Sequence, residues 1–165
     1  MILPRTPWED FSLPRVLIVA VVASLAAGAA VAASEQTPWI GVRARALDTL
    51  QTRDCGAVRC EPASAAERAA PPVSDLEAQI AYQRGVYSGA AEHCGLDGQT
   101  RNYAPMMAWW RTTRHLNVRQ IALVGAIHDI AKGMAKTAMG RIGACTTETK
   151  GDIDRQLDFR PSAAR

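Results

Sequence analysis

Three groups of residues in the chain have the types and spacing to do chemistry. The first is a basic, aromatic block. Residues 101–141 hold seven Lys+Arg against Asp129 alone, with Tyr103, Trp109 and Trp110 interleaved. Arginine presents a planar, permanently charged fork that suits phosphate and carboxylate. Tryptophan suits a boundary with one apolar and one wet side. Arg101, Arg111, Arg114, Arg119, Trp109 and Trp110 are therefore the candidate face for an anion or an acidic partner. Residues 34–100 carry a net charge of −3, so the same block could instead be neutralised inside the molecule.

The second group is His93, His128 and Glu92. His128 falls at the edge of an apolar helical arc, the usual place of a structural histidine. With His93 and Glu92 it is also the one candidate centre for acid–base chemistry. His93, Cys94, His128 and Cys145 have the types of a zinc or copper(I) site, and Met106, Met107, Met134 and Met139 could add thioether ligands. The spacing matches no known metal motif, and methionines on an apolar helix face are ordinary core filler, so neither metal nor cofactor is expected. The motifs of lipases, nucleotide-binding loops, zinc peptidases and EF-hands are absent, which argues against an enzyme of those classes.

The third group is the four cysteines, Cys55, Cys60, Cys94 and Cys145. They follow an uncharged apolar run at residues 16–33, which is preceded by Arg5 and Arg15 and ends in Ala30-Val31-Ala32-Ala33. That is the pattern of a cleaved secretory signal peptide over residues 1–33, with a single N-terminal membrane anchor as the alternative. An even cysteine count in an exported chain reads as disulfides. The spacing of Cys55 and Cys60 is not that of a thioredoxin-type pair, and no haem-attachment motif occurs.

Helices must position these residues. Ser74-Asp-Leu-Glu77 is a capping box opening a helix over residues 75–94, whose larger apolar residues include Leu76, Ile80, Val86 and Tyr87. Gly95 marks its end. A shorter helix follows, with Asn102 as its cap and Pro105 in its first turn. Asn117 and Gln120 open a third helix over 118–141, with an apolar arc from Leu123 through Ile127 to Met134 and Met139. Gly85 and Gly89, and Gly125, Gly133 and Gly140, lie off the apolar arcs, and each weakens a helix by about 1 kcal/mol relative to alanine. Close approach of another backbone would account for them. Residues 147–157 suit a short last helix.

The expected fold is all-α: a small bundle of about three main helices with disulfides, following a signal peptide. Residues 34–73 are expected to be irregular, with one or two helical turns between Ile40 and Leu50. Residues 74–157 form the bundle, and 158–165 a frayed tail. Up-down-up order makes the first and third helices parallel, which brings Cys94 to Cys145 and leaves Cys55 for Cys60.

The composition excludes other classes. A net charge of +3 over 165 residues is too small for a dedicated nucleic-acid binder, and 48% hydrophobic residues exclude wholesale disorder. The functional expectation is an exported, periplasmic or secreted non-catalytic binding or accessory module. Its partner would be an envelope protein or an anionic lipid or glycan surface, with peripheral membrane contact and no nucleic acid. The alternatives are a small periplasmic enzyme centred on His128 and a Met/His metal-handling protein.

Overall fold

The computed structural model describes residues 38–161. The expected signal peptide at 1–33 lies outside the described residues. Six α-helices occur among them: α1 (Pro38–Asp48), α2 (Ala65–Ala69), α3 (Asp75–His93), α4 (Ala104–Thr112), α5 (Val118–Ile142) and α6 (Thr147–Leu157). Between α1 and α2 run a 3₁₀ turn, Leu50–Thr52, and a two-stranded antiparallel ladder of β1 (Asp54–Cys55) with β2 (Val58–Arg59). A single π turn, Gln99–Tyr103, leads into α4.

Local chemistry sets the helix ends. Ser74 with Glu77 and Asn117 with Gln120 form reciprocal capping boxes at the starts of α3 and α5, as their spacing requires, and Ser64 with Glu67 caps α2 in the same way. Gly95, at φ +72°, ends α3. Its N–H reaches the Glu92 carbonyl and that of Leu96 reaches Ala91, the paired bonds of a Schellman stop.

The most extensive packing is between α3 and α5. The two helices run parallel: Gly85 meets the His128 carbonyl and Ala131, and one turn later Gly89 meets the Lys132 carbonyl and Ala135. A β-carbon on either glycine would overlap those carbonyl oxygens. Backbone touches backbone here, which only glycine permits. The face of α3 that packs inward is correspondingly small, consisting of Ala78, Ala81, Gly85, Ser88 and Gly89. Gly133 and Gly140 face open space and have no such role.

The core is completed by Leu123, Val124 and Ile127 of α5, Met106, Met107 and Trp110 of α4, and Val42, Ala46, Leu47 and Leu50 from the N-terminal segment. A smaller cluster of Ala91, Cys94, Ile153 and Leu157 seats α6. Disulfides join Cys55 to Cys60 and Cys94 to Cys145.

Several expectations need correction. The helices number six among the described residues, not three. Within the 34–73 segment α1 makes three turns, where one or two were expected, and its Val42, Ala46 and Leu47 belong to the core. Its apolar residues run from Trp39 to Leu47 interrupted by Gly41, Arg43 and Arg45, so the periodicity is weak in isolation. Leu76 is 52% exposed and Met134 44% exposed, although both lie on the apolar arcs. The inner face of α3 selects small residues, and past Ala131 only the side of α5 bearing Lys132, Ala135 and Met139 is partly covered. Asn102 does not cap α4 but is buried under it. The 158–165 tail is not frayed at its start: the Phe159 N–H donates to the Arg101 carbonyl at 2.9 Å and its ring packs on Trp109.

Two sets of variants probe this packing. Gly85→Ala or Gly89→Ala should destabilise the protein by about 1–3 kcal/mol or more, since the helices must separate. Gly133→Ala should be neutral or stabilising by up to about 1 kcal/mol. Urea unfolding of the three variants gives the ranking, and equal effects would refute the close approach. Similarly, opening Cys94–Cys145, with a sequence separation of 51, should cost about 4 kcal/mol from loop-closure entropy, against about 2 for the short Cys55–Cys60 loop. Paired Cys→Ser variants in the same assay rank the two bonds.

Candidate functional site

The basic block does not gather into one face. Arg101, in the π turn, is held by two carboxylates at the end of α6, Asp154 at 2.5 Å and Asp158 at 2.7 Å, and these push its guanidinium pKa up. Arg119, in the first turn of α5, grips Glu67 of α2 through Nε at 2.5 Å and Nη2 at 2.8 Å and reaches the Glu61 carbonyl. Lys132 and Lys136 both bind Glu92. Arg114 lies 3.6 Å from Glu77 and 5.9 Å above the Trp109 ring. Arg111 is exposed and enters no ion pair among the described residues. Trp110 is fully buried, and its indole N–H is the one buried side-chain polar atom without a partner among the described residues. Much of the block's positive charge is therefore met by acids of the same chain. Of the six residues singled out by composition, Trp109 and Arg114 stand together at a surface.

That surface is a groove along the outer side of α3. Two cavities of about 260 and 310 Å³ share Ile80, Gln83 and Trp109. Leu76 and Arg114 line one end; Tyr87, Phe159 and Arg160 line the other. Leu76, Ile80 and Tyr87 are turned this way because the inner side of α3 is taken by glycine, alanine and serine. Arg84 closes the floor. It bonds Asn102, the Gln156 carbonyl at 3.1 Å and the Leu157 carbonyl, and it lies 5.1 Å from the Tyr87 ring. Burial pulls its guanidinium pKa down.

The second centre is His128, which is buried on α5 and 4.6 Å from the Tyr103 ring. Its Nδ1 lies 3.2 Å from Asp129 Oδ1 and its Nε2 3.0 Å from Ser88 Oγ. Asp129 Oδ2 accepts from Arg53 at 2.6 Å. Burial raises the Asp129 carboxyl, but the bonds from His128 and Arg53 outweigh it and hold the group below its ordinary range. On the other side, Asn102 Nδ2 donates to Ser88 Oγ at 2.7 Å and to the Arg84 carbonyl at 2.7 Å. A cavity of about 150 Å³ borders Ser88, Glu92, Gly98, His128 and Lys132.

The remaining candidates are scattered. His93 bonds the Gly143 carbonyl at 2.8 Å, away from His128. Cys94 and Cys145 are bonded to one another, which leaves no thiolate for a metal. Met106 and Met107 belong to the main core, Met139 packs on the smaller cluster, and Met134 is exposed. Among the described residues no three His, Cys, Asp or Glu side chains are grouped to hold an ion. Sequence reasoning missed Ser88, Asn102 and Arg53. The available signal was a serine at the same helical register as Ala78, Ala81 and Gly85.

Two carboxylates report on acid stability. Bonds from Arg119 and the Ser64 backbone lower Glu67 from 4.5 to about 2, and bonds from Lys132 and Lys136 do the same for Glu92. A carboxyl with a depressed folded pKa adds stability above its unfolded pKa and loses it as pH falls toward the folded value. Thermal melts should therefore change little between pH 7 and 5, then fall between about 4.5 and 2. Glu67→Gln should lower the neutral-pH midpoint and shallow the acid fall. An acid limb unchanged in that variant would remove Glu67 from the account.

The chain matches no family model, and comparisons with curated proteins and with solved structures find no significant similarity.

Proposed function

We propose that the protein is an exported binding or accessory module of the cell envelope that holds an acidic partner protein in the groove beside α3. The carrying observation is the groove itself: an apolar floor of Leu76, Ile80, Trp109 and Phe159 with Arg114 at one end and Arg160 at the other. Contiguous apolar surface with a polar rim is the ordinary composition of an interaction site. Trp and Arg are the residue types that most often dominate binding energy. Arg84, Arg114, Arg155 and Arg160 line the groove against Glu77 and Asp158, an excess of cations that favours a partner segment alternating acidic and apolar residues.

Export belongs to the same reading. Two disulfides within residues 38–161 suit an oxidising compartment. The apolar run at 16–33 would be the signal that takes the chain there. Among the described residues no helix is long and apolar enough to cross a membrane.

A photocrosslinking residue in place of Gln83, at the centre of the groove, tests the reading in cells. It should capture one acidic envelope protein. The same substitution at Arg141, on the exposed end of α5, should not. Trp109→Ala should abolish capture, consistent with loss of an anchor worth about 2 kcal/mol or more. With the purified partner, affinity should weaken as salt rises. Identical capture from both positions, or capture indifferent to Trp109, would exclude the groove. Binding to anionic vesicles that Trp109→Ala abolishes would replace the protein partner with lipid.

A further inference from the structure

We propose that Ser88, His128 and Asp129 form a nucleophilic relay and that Ser88 is acylated by small carboxylic esters. Three side chains from α3 and α5 stand in the order that activates a serine: hydroxyl to imidazole at 3.0 Å, imidazole to carboxylate at 3.2 Å. The direction of the relay follows from its two ends. Asp129 is ionised and bonded to Arg53, so it accepts from His128 and places the ring proton on Nδ1. Nε2 is then the basic nitrogen, and it faces Ser88. Asn102 donates to Ser88 Oγ, so the hydroxyl directs its own proton at Nε2. Nucleophile, general base and orienting carboxylate are all present in the correct tautomer.

The relay opens on a space. Ser88 and His128 are only 3% and 2% exposed, yet both border the cavity of about 150 Å³. That is room for about five water-sized groups, which suits a short acyl ester rather than a peptide or a lipid. Lys132 is the cation lining the cavity, whose wall also carries Glu92 and Asp97, and it must exchange its bond to Glu92 for one to a developing oxyanion.

The chemistry balances without a redox partner. Ser88 Oγ attacks the ester carbonyl carbon as its proton passes to His128 Nε2. The bond from that carbon to the alcohol oxygen breaks, and the alcohol leaves with the proton from Nε2. Water, deprotonated by Nε2, then attacks the acyl-serine, and Ser88 Oγ departs and recovers its proton. Ester and water become carboxylic acid and alcohol. Asp129 acts as a positioning residue and stays ionised throughout.

This inference is independent of the groove on the other side of α3 and survives if the groove binds nothing. The disulfide-intact protein is treated with an alkyl fluorophosphonate and analysed by intact mass and peptide mapping. One adduct per chain at Ser88 is expected. With p-nitrophenyl acetate, Ser88→Ala should reduce enzyme-dependent hydrolysis to the background set by surface lysines and histidines. Asp129→Asn should reduce it about 100-fold or more, because the amide no longer fixes the Nδ1–H tautomer that makes His128 Nε2 the base. Asp129→Glu should restore part of the rate, which a purely structural loss would not predict. Absence of the Ser88 adduct from folded, unaltered protein would overturn the proposal and leave the three groups as a packing network. So would Ser88→Ala hydrolysing the ester as fast as the unaltered chain. The adduct measurement needs no variant, so it decides the matter even if the substituted chains fail to fold.

Discussion

The structure depends on one close contact, the backbone-to-backbone packing of α3 on α5 at Gly85 and Gly89. Helices can approach this closely only where no β-carbon intervenes, and the inner side of α3 accordingly carries Ala, Gly and Ser. The remaining arrangement follows. Two parallel helices in contact over several turns bring their C-terminal ends together, so Cys94 and Cys145 meet and the disulfide fixes the register. The same closeness puts Ser88 within bonding distance of His128. It also sends the larger apolar residues of α3 outward. Leu76, Ile80 and Tyr87 cannot face α5, so they floor the groove with Trp109 and Phe159. The inner polar network and the outer apolar groove of one helix therefore have a single steric cause.

Burying polar groups beside that contact imposes a second condition. An unsatisfied buried hydroxyl, amide or imidazole costs about 1–3 kcal/mol, so the group must find partners or be absent. Here the chain of bonds runs unbroken from Arg84 through Asn102, Ser88 and His128 to Asp129 and Arg53. It crosses α3, the π turn, α5 and the turn before β1, and each member restricts the rotamer of the next. The π turn serves this network, because it places Asn102 under α4 with both donors and its acceptor occupied. Such a network specifies one arrangement of the elements even where its net contribution to stability is small.

The charges follow a third logic. Positive charge concentrated in residues 101–141 and negative charge in the preceding segment meet across helix boundaries, at Arg119–Glu67, Lys132–Glu92 and Arg114–Glu77, while Arg53–Asp129 pairs the two segments in the opposite sense. Arg101 is matched by α6 instead. Exposed ion pairs of this kind each contribute about 1 kcal/mol or less. They do decide which cations stay without a carboxylate, and among the described residues Arg111, Arg141 and Arg160 enter no ion pair.

Local chemistry was decisive wherever a residue acts on its own neighbours. The capping boxes at Ser74 and Asn117, the stop at Gly95, the span of α5 and the short last helix could all be read directly, because each rests on contacts within one turn. The disulfide pairing could be read because helix order alone makes α3 and α5 parallel. Tertiary structure decided the rest. Which side of α3 faces inward depends on how near α5 comes, and hydrophobic periodicity points to the large residues when the packed ones are the smallest. Whether the segment around Val42, Leu47 and Leu50 is core depends on a surface that only the assembled helices provide. Ser88 shows in the sequence only as a serine at the register of Ala78, Ala81 and Gly85; its partners are Asn102, fourteen positions away, and His128, forty positions away. Composition registers charge along the chain but not across space, so it singled out Arg101 and Arg119 without their acids and Trp110 without the core that encloses it.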